Sequence, residues 1–460
     1  MKTISKRAYS LFIYIGIFAV CFGLYMYDYS ANAATWVSDT ANKHLYTGNA
    51  VGIAGSLYDR DGKVLLQNKD GRRIYGGDAA SRTAMLHVVG DKENFISTSV
   101  SYIYRRQNVG YNLIDGTYQA GHGSKGNDMW LTVSMELSRR AYELLDGKKG
   151  AVCMFNYRTG EMLVMVSSPS FDPENKPDIP EGSQRYDGVY INRAISATYP
   201  PGSTFKLVTA TAAINNIPDV FGPEYEFTCT GSYTTPDGST VTCPREHGRM
   251  NFRESLAESC NGAFARIAIE LTGPTLEREA KKIGFGTRYY VGEIPVKPSS
   301  VDMSDAGPNA LGYSAIGQYT DLATPFQMML LSGAIANDGV PMRPYIVDTV
   351  GSNIDMSFLF PKGASLPRTV PAETAEKMRE MMKFNVTYKY GSDTFYGLEV
   401  GGKTGTAEVG GDKAAHSWFT AFLDDPDHPY AIAVISENSG AGASVAMPIA
   451  ARLLREAAGR

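Results

Sequence analysis

The first strong hydrophobic pattern lies at the amino terminus of the chain. Lys2, Lys6 and Arg7 precede twenty residues, 8–27, that carry no charge. A helix of about twenty apolar residues spans about 30 Å, the thickness of a bilayer's hydrocarbon core. Because basic residues favour the cytoplasmic side, residues 1–29 are predicted to form a cytoplasmic tip and a membrane anchor. Everything after the anchor is then extracytoplasmic.

A cleaved signal peptide is the alternative to this anchor. The residues Ala-Asn-Ala at 31–33 resemble a cleavage site, but the apolar stretch is long for a signal peptide. We therefore expect an uncleaved single-pass anchor in the cell membrane. Either interpretation exports the rest of the chain.

Two further regions follow from the pattern of polar and apolar residues. Residues 30–127 are polar and predict a small spacer domain, with two short strands around an Asp-Gly turn at 55–67. Residues 128–460 contain an early hairpin at 150–173, then several helical stretches, then three late strands and a closing helix at 446–458. Strands at both ends of a helical region predict an α+β fold, with one antiparallel sheet flanked by helices.

Composition excludes several classes of protein. The 460 residues carry a net charge of −4 and no run of Lys or Arg, so nucleic acid is not an expected partner. The five cysteines form no Cys-x-x-Cys pair, which removes thioredoxin chemistry and a zinc ribbon.

A serine and a lysine stand three residues apart after a Pro-Pro-Gly break. Positions i and i+3 share a helix face, so the Ser203 hydroxyl and the Lys206 amine can meet. A buried lysine loses its charge more easily and can then act as a base. An N-cap serine beside a surface lysine would have the same spacing, so this motif alone is weak.

Two later motifs strengthen this interpretation. Ser259-Cys260-Asn261 presents a hydroxyl and an amide between two helices. A late strand then carries Lys403 and three further residues whose backbone and hydroxyls could bind a ligand strand and its carboxylate. These three are Thr404, Gly405 and Thr406.

Ser-x-x-Lys, Ser-x-Asn and Lys-Thr-Gly in this order resemble the penicillin-binding proteins and serine β-lactamases. The stretches TYPPGSTFK, SCNGAFA, GGKTGTAE and HSWFTAF are similar to the class B penicillin-binding proteins, which are monofunctional transpeptidases of the bacterial cell wall. The resemblance covers residues 128–460. It implies a peptidoglycan D,D-transpeptidase that needs no cofactor and is acylated by β-lactam antibiotics.

The resemblance also implies a role for each motif residue. Ser203 would attack the carbonyl of a terminal D-Ala-D-Ala, and Lys206 would take its proton. Ser259 would relay a proton to the leaving D-Ala, and Asn261 would hold the substrate amide.

The late strand would bind the terminal carboxylate through Lys403, Thr404 and Thr406. The backbone N–H groups of Ser203 and Thr406 would form the oxyanion hole. The expected partners are peptidoglycan stem peptides, β-lactams and the membrane, with a membrane-embedded glycosyltransferase as a further candidate.

Other activities remain open at this stage. A class A β-lactamase would carry a deacylating glutamate in a Glu-x-x-Leu-Asn loop, and the sequence has none. A D,D-carboxypeptidase stays possible because the motifs do not reveal the acceptor. A β-lactam-binding sensor or scaffold of the same fold is the alternative outside catalysis, although only seven residues precede the apolar stretch.

Cys229 and Cys243 are fourteen positions apart, and His247 follows four residues later. In an exported protein a disulfide is the usual fate of such a pair. Two thiolates and an imidazole could instead hold a structural zinc, with Asp237 or another group as fourth ligand. Two unlinked thiols are the third interpretation. Cys260, inside the Ser-x-Asn motif, is expected to be a small buried residue.

Overall fold

The first helix matches the predicted anchor. We describe a computed structural model, which describes residues 2–37, 46–47, 50–51, 54–69, 72–109, 126–351, 362–411 and 413–460. Helix α1 runs over Lys2–Val37. Within it, the 23 residues Arg7–Tyr29 are long and apolar enough to cross a membrane.

The region after the anchor contains short strands and short helices. The Asp-Gly turn forms as expected: Asp59 Oδ1 accepts the N–H groups of Asp61 (3.0 Å) and Lys63 (2.8 Å). The elements of this region are β1 (Tyr46–Thr47), β2 (Ala50–Val51), β3 (Leu57–Tyr58), β4 (Val64–Lys69), β5 (Arg72–Tyr75), α2 (Ala79–Val89), α3 (Val100–Ile103) and α4 (Arg105–Val109).

Helices and strands alternate irregularly through the remaining chain. The strands are β6 (Met129–Leu131), β7 (Gly150–Asn156), β8 (Met162–Ser168), β9 (Glu226–Cys229), β10 (Ser232–Thr234), β11 (Thr240–Thr242), β12 (Gly248–Asn251), β13 (Tyr290–Val291), β14 (Ile294–Pro295), β15 (Val347–Val350), β16 (Val400–Ala407), β17 (His416–Leu423) and β18 (Tyr430–Ser436). The helices are α5 (Met135–Leu145), α6 (Arg193–Ser196), α7 (Lys206–Asn216), α8 (Phe252–Ala257), α9 (Asn261–Leu271), α10 (Gly273–Ile283), α11 (Pro308–Ser314), α12 (Pro325–Ala336), α13 (Ala372–Asn385) and α14 (Ala446–Ala457).

The main sheet has five antiparallel strands in the order β16-β17-β18-β7-β8. The three late strands therefore pair with the early hairpin, as the sequence predicts. Helices cover both faces, so both sets of alternating side chains are buried: Cys153 and Phe155 belong to one apolar cluster, and Val152 and Met154 to the other. Helix α12 packs on one face, and α5 and α14 pack on the other.

A second sheet joins the two regions that the sequence separates at residue 128. Its order is β15-β6-β3-β4-β5. Strand β6 pairs in parallel with β3, and β15 pairs antiparallel with β6. The spacer and the catalytic region therefore share one sheet.

Among the described strands, none pairs with the outer edge of β16. The turn that precedes α7 packs against this strand, and the loop that ends at α9 lies close by. The three sequence motifs therefore meet at one edge of the sheet.

Candidate active site

Ser203 stands on a short 3-10 turn, Gly202–Phe205, which leads directly into α7. Gly202 adopts a positive φ of 53°, and a Cβ there would lie 2.6 Å from the carbonyl oxygen of Thr406. Both facts require glycine, because side chains rarely adopt this conformation and no room exists for one. The glycine thus brings the backbone of the serine turn against β16.

Lys206 is fully buried and surrounded by oxygen atoms. Its Nζ lies 2.6 Å from the carbonyl oxygen of Ser259, 2.8 Å from Asn261 Oδ1, 3.0 Å from Ser203 Oγ and 3.1 Å from Ser259 Oγ. Burial lowers the pKa of the Lys206 amine to about 7, although nearby cysteines act in the opposite direction. A neutral amine has two N–H donors and one lone pair. It can donate to the two oxygens that only accept and take a proton from Ser203.

The Ser-x-Asn motif forms a tight turn rather than an extended one. Ser259 has a positive φ of 56°, and Cys260 caps the start of α9. Asn261 Nδ2 donates to the Thr242 carbonyl at 2.8 Å, while its Oδ1 faces Lys206. Both atoms of this amide are therefore engaged, and they hold Lys206 in place.

Lys403 also contacts the Ser259 hydroxyl. It is fully buried, and its Nζ lies 2.9 Å from Ser259 Oγ and 3.0 Å from the Thr404 carbonyl oxygen. Burial lowers the pKa of Lys403 well below its usual range, and the neighbouring Lys206 lowers it further. Ser259 Oγ is thus shared between two lysines.

The free edge of β16 presents backbone groups next to Ser203. Thr404 N–H bonds the Tyr390 hydroxyl, so it points away from β17. Because N–H directions alternate along a strand, the Thr406 N–H points to the same free edge. Gly405 lets the strand approach the turn, since a Cβ there would lie 2.9 Å from the Pro201 carbonyl oxygen. A carbonyl between the N–H groups of Ser203 and Thr406 would meet an oxyanion hole.

The structure therefore gathers the eight predicted site residues at one place. Hydrogen bonds link six of them directly, namely Ser203, Lys206, Ser259, Asn261, Lys403 and Thr404. The other two lie on β16 beside this network: Gly405 and Thr406.

Three of the five cysteines and one histidine form a cluster at the Ser-x-Asn turn. Cys229, Cys243, His247 and Cys260 place their ligand atoms within 4.8 Å of one another. Cys229 and Cys243 are free thiols in the structure, so the disulfide, one of the three interpretations of this pair, is not formed. Asp237 instead bonds Thr235 Oγ1 (2.6 Å) within its own turn, so it is not the fourth group.

Sequence reasoning missed two residues of this site. Cys260 is buried, as predicted, but its Sγ also lies 3.8 Å from Cys243 Sγ, a contact that the sequence does not predict. Its place inside the Ser-x-Asn motif was the available signal. Tyr390, whose hydroxyl contacts Thr404 Oγ1, belongs to no recognisable sequence motif. A π-helical turn over Val386–Tyr390 brings it to the site.

Fold and site together define a class of protein: a serine acyltransferase with a buried lysine beside its serine. Comparison with known proteins gives the family. Residues 150–455 match the penicillin-binding protein transpeptidase domain. The chain therefore belongs to the penicillin-binding protein transpeptidase family, as the motifs predict.

Individual relatives agree with this family. A peptidoglycan D,D-transpeptidase, PbpA, of Mycolicibacterium smegmatis is 30% identical over 362 residues, which cover 72% of each chain. A peptidoglycan D,D-transpeptidase, MrdA, of Acinetobacter baumannii is 27% identical, over 71% of this chain and 54% of the relative. The imipenem acyl-enzyme of Mycobacterium tuberculosis penicillin-binding protein A superposes with a TM-score of 0.76 at 27% identity, covering 88% of this chain and 98% of that chain.

Proposed function

We propose that this protein is a peptidoglycan D,D-transpeptidase that cross-links stem peptides through an acyl-enzyme on Ser203. The observation that supports this most is the contact of 3.0 Å between Lys206 Nζ and Ser203 Oγ inside a buried network. The pKa of about 7 leaves much of this amine neutral at physiological pH. Family membership supplies the reaction class.

Acylation starts with proton transfer from Ser203 to Lys206. The serine oxygen then attacks the penultimate D-Ala carbonyl of the donor peptide. The N–H groups of Ser203 and Thr406 would stabilise the negative oxygen of the tetrahedral intermediate. The donor peptide would lie along the free edge of β16 as an added strand.

The leaving D-Ala then needs a proton on its nitrogen. Ser259 Oγ lies 3.1 Å from Lys206 Nζ, so the proton taken from Ser203 can pass through this hydroxyl. Lys403 would bind the terminal carboxylate with Thr404 and Thr406. An arriving carboxylate favours the charged form of the Lys403 amine, which burial alone disfavours.

The fate of the acyl-enzyme separates a transpeptidase from its alternatives. Among the described residues, no carboxylate is hydrogen-bonded to Ser203, Lys206 or Ser259. Without a base that activates water, the ester should wait for an amine acceptor. A D,D-carboxypeptidase would release the donor to water, and a sensor or scaffold would stay acylated.

The test incubates detergent-solubilised full-length protein with a donor stem pentapeptide, with and without an acceptor stem peptide. Mass spectrometry of the products should find a cross-linked dimer and free D-Ala only when both peptides are present. Ser203→Ala is the control and should give neither. Release of D-Ala without acceptor would indicate a carboxypeptidase, and acylation by penicillin without any turnover would indicate a sensor.

We also propose that Cys229, Cys243, His247 and Cys260 hold a structural zinc ion. Three thiolates and one imidazole are a common set for a closed tetrahedral zinc site. Zn–S bonds of about 2.3 Å in a tetrahedron place sulfur atoms about 3.8 Å apart. The distance between Cys243 Sγ and Cys260 Sγ is 3.8 Å, and Cys229 Sγ lies 3.3 Å from His247 Nδ1.

Such an ion would brace the catalytic turn, since Cys260 stands between Ser259 and Asn261. The test measures metal content of the purified full-length protein by mass spectrometry, with thiol alkylation before and after reduction. One zinc per chain, lost in Cys229→Ser, is the expected result. A linked Cys229–Cys243 peptide without metal would favour the disulfide, and freely alkylated cysteines without metal would leave both crosslinks unsupported.

We further propose that α1 anchors the protein once in the cell membrane, with the catalytic region on the outer side. Support comes from the length and composition of Arg7–Tyr29 and from the basic residues before it. A membrane-embedded glycosyltransferase that makes the glycan strands is the partner that this arrangement suits. Protease added to intact cells should degrade the catalytic region if the orientation is right.

A further inference from the structure

Tyr390 contacts the carboxylate-binding strand twice. Its hydroxyl oxygen accepts the Thr404 N–H at 3.1 Å and lies 3.1 Å from Thr404 Oγ1. Its ring packs edge-on against Phe419 of the neighbouring strand, with centroids 6.2 Å apart. Both polar contacts fall on Thr404 of the Lys-Thr-Gly motif.

The segment that carries Tyr390 is a π-helical turn over Val386–Tyr390 at the end of α13. Asn385, just before it, is buried and donates to the Gly402 carbonyl at 3.0 Å. Lys389 pairs with Glu258 beside the Ser-x-Asn turn, at 2.6 Å. Single π turns inside helices are rare overall, but those that do occur often lie at functional sites. This turn is tied to two catalytic motifs at once.

The direction of the bond between the two hydroxyls follows from their other partners. The Tyr390 oxygen already accepts the Thr404 N–H, and a phenol is a better donor than an alkyl hydroxyl. Burial raises the pKa of Tyr390, so its proton stays in place at neutral pH. Tyr390 therefore donates to Thr404 Oγ1. The Thr404 hydroxyl proton is then left to point toward a ligand.

The N–H contact has a second consequence for a bound peptide. A peptide that pairs with the β16 edge at Thr406 would next seek the N–H of Thr404, two residues along. Tyr390 already occupies that N–H. A donor peptide therefore loses its strand pairing just beyond the reacting carbonyl, where the Thr404 hydroxyl awaits an acceptor.

We infer that Tyr390 is a positioning residue that selects donors ending in a free carboxylate one residue beyond the reacting carbonyl. It does so by closing the strand edge at Thr404 and by aiming the Thr404 hydroxyl at that carboxylate. The inference rests on the proposed function, because it concerns the donor of the acylation step. It assigns selectivity to a residue outside the three motifs.

The test compares two D-alanyl thioester donors that differ only at their end, a free carboxylate or its methyl ester. The acylation rate of full-length protein in detergent is followed by intact mass. Tyr390→Phe should slow the carboxylate donor by about tenfold to a hundredfold, since the Thr404 hydroxyl is no longer aimed at the charged carboxylate and their hydrogen bond is weakened. The methyl ester should change by less than about threefold, so the ratio of the two rates falls.

Two further variants make the result decisive. Tyr388→Phe is the control, because Tyr388 is exposed in the same π turn; it should leave both rates unchanged. Thr404→Val removes the hydroxyl and should show the same selective loss, which Tyr390→Phe should not deepen. An unchanged ratio in Tyr390→Phe or in Thr404→Val would overturn the inference. If the wild-type protein reacts with neither donor nor penicillin, the proposed function itself fails.

Discussion

At the scale of single residues, the protonation of Lys206 depends on what surrounds it. The Ser259 carbonyl and Asn261 Oδ1 can only accept hydrogen bonds, so they take both N–H groups of a neutral amine. The lone pair is then directed to Ser203 Oγ. A charged ammonium at this place would lose its hydration, and none of the described carboxylates is hydrogen-bonded to it to compensate. Burial therefore favours the neutral form.

The pH dependence of acylation should report this amine. The pKa of Lys206 is lowered from its ordinary value to about 7. The base is the deprotonated form, so the acylation rate should rise with pH through about 7 and then level off. Stopped-flow measurement with a chromogenic cephalosporin between pH 5 and pH 9 gives the profile. A flat profile over this range would exclude Lys206 as the titrating base.

Charge alone cannot replace this lysine. Lys206→Arg should lose acylation as fully as Lys206→Ala, by about 10² to 10⁴ in rate, because arginine does not deprotonate at a useful pH. Lys63→Arg, at an exposed lysine of the Asp-Gly turn, is the control and should keep the rate. The same cephalosporin assay decides it. A loss below about tenfold in Lys206→Ala would indicate another base.

At the scale of elements, the site depends on how closely the serine turn approaches β16. The Ser203 and Thr406 N–H groups can share one oxygen only because Gly202 and Gly405 have no side chains where the two backbones meet. Trp418 on β17 adds a bond to this turn, since its Nε1 donates to the Pro200 carbonyl at 3.0 Å. The proposed oxyanion hole therefore depends on how closely the serine turn packs against β16.

Gly202→Ala tests this approach. The new Cβ would lie 2.6 Å from the Thr406 carbonyl oxygen, so turn and strand must separate. We expect penicillin acylation to fall by more than about tenfold, because an oxyanion-hole donor that moves away loses its effect. Gly238→Ala is the control: it shares a positive φ, of 84°, but meets no atom within 4 Å. Equal acylation by both variants would show that the clash is harmless.

Sequence patterns predict the main sheet and the three motifs, but not the contacts of these motifs with the rest of the fold. The sequence predicts a late strand that carries the Lys-Thr-Gly motif, and it predicts Ser203 from its spacing to Lys206. Tyr390 was out of reach, because the residue-by-residue pattern of α13 does not reveal a π turn at its end. The sequence shows that residue 260 is a cysteine, but only the fold places it beside Cys243, seventeen positions earlier in the chain.

At the scale of the whole molecule, the proposed anchor would determine where the catalytic region works. We expect residues 8–27 to remain on the mature protein, because Arg7–Tyr29 is long and apolar enough to span a bilayer. Intact mass of the protein extracted from membranes should match the uncleaved chain. A mature start near Ala34 would show cleavage at the Ala-Asn-Ala site instead.

The second sheet contains strands from both sides of residue 128, and this has a consequence for solubility. A fragment of residues 128–460 would lack β3, β4 and β5, and so would leave β6 with an open edge. Met129 and Leu131 on that strand are fully buried in the whole protein. An exposed apolar strand edge recruits other chains. This fragment should therefore elute from size-exclusion chromatography as aggregate, whereas residues 54–460 should elute as a monomer; equal monomer yield from both would contradict this. A domain boundary chosen from the catalytic motifs alone would therefore cut through this sheet and expose a strand edge that the whole protein covers.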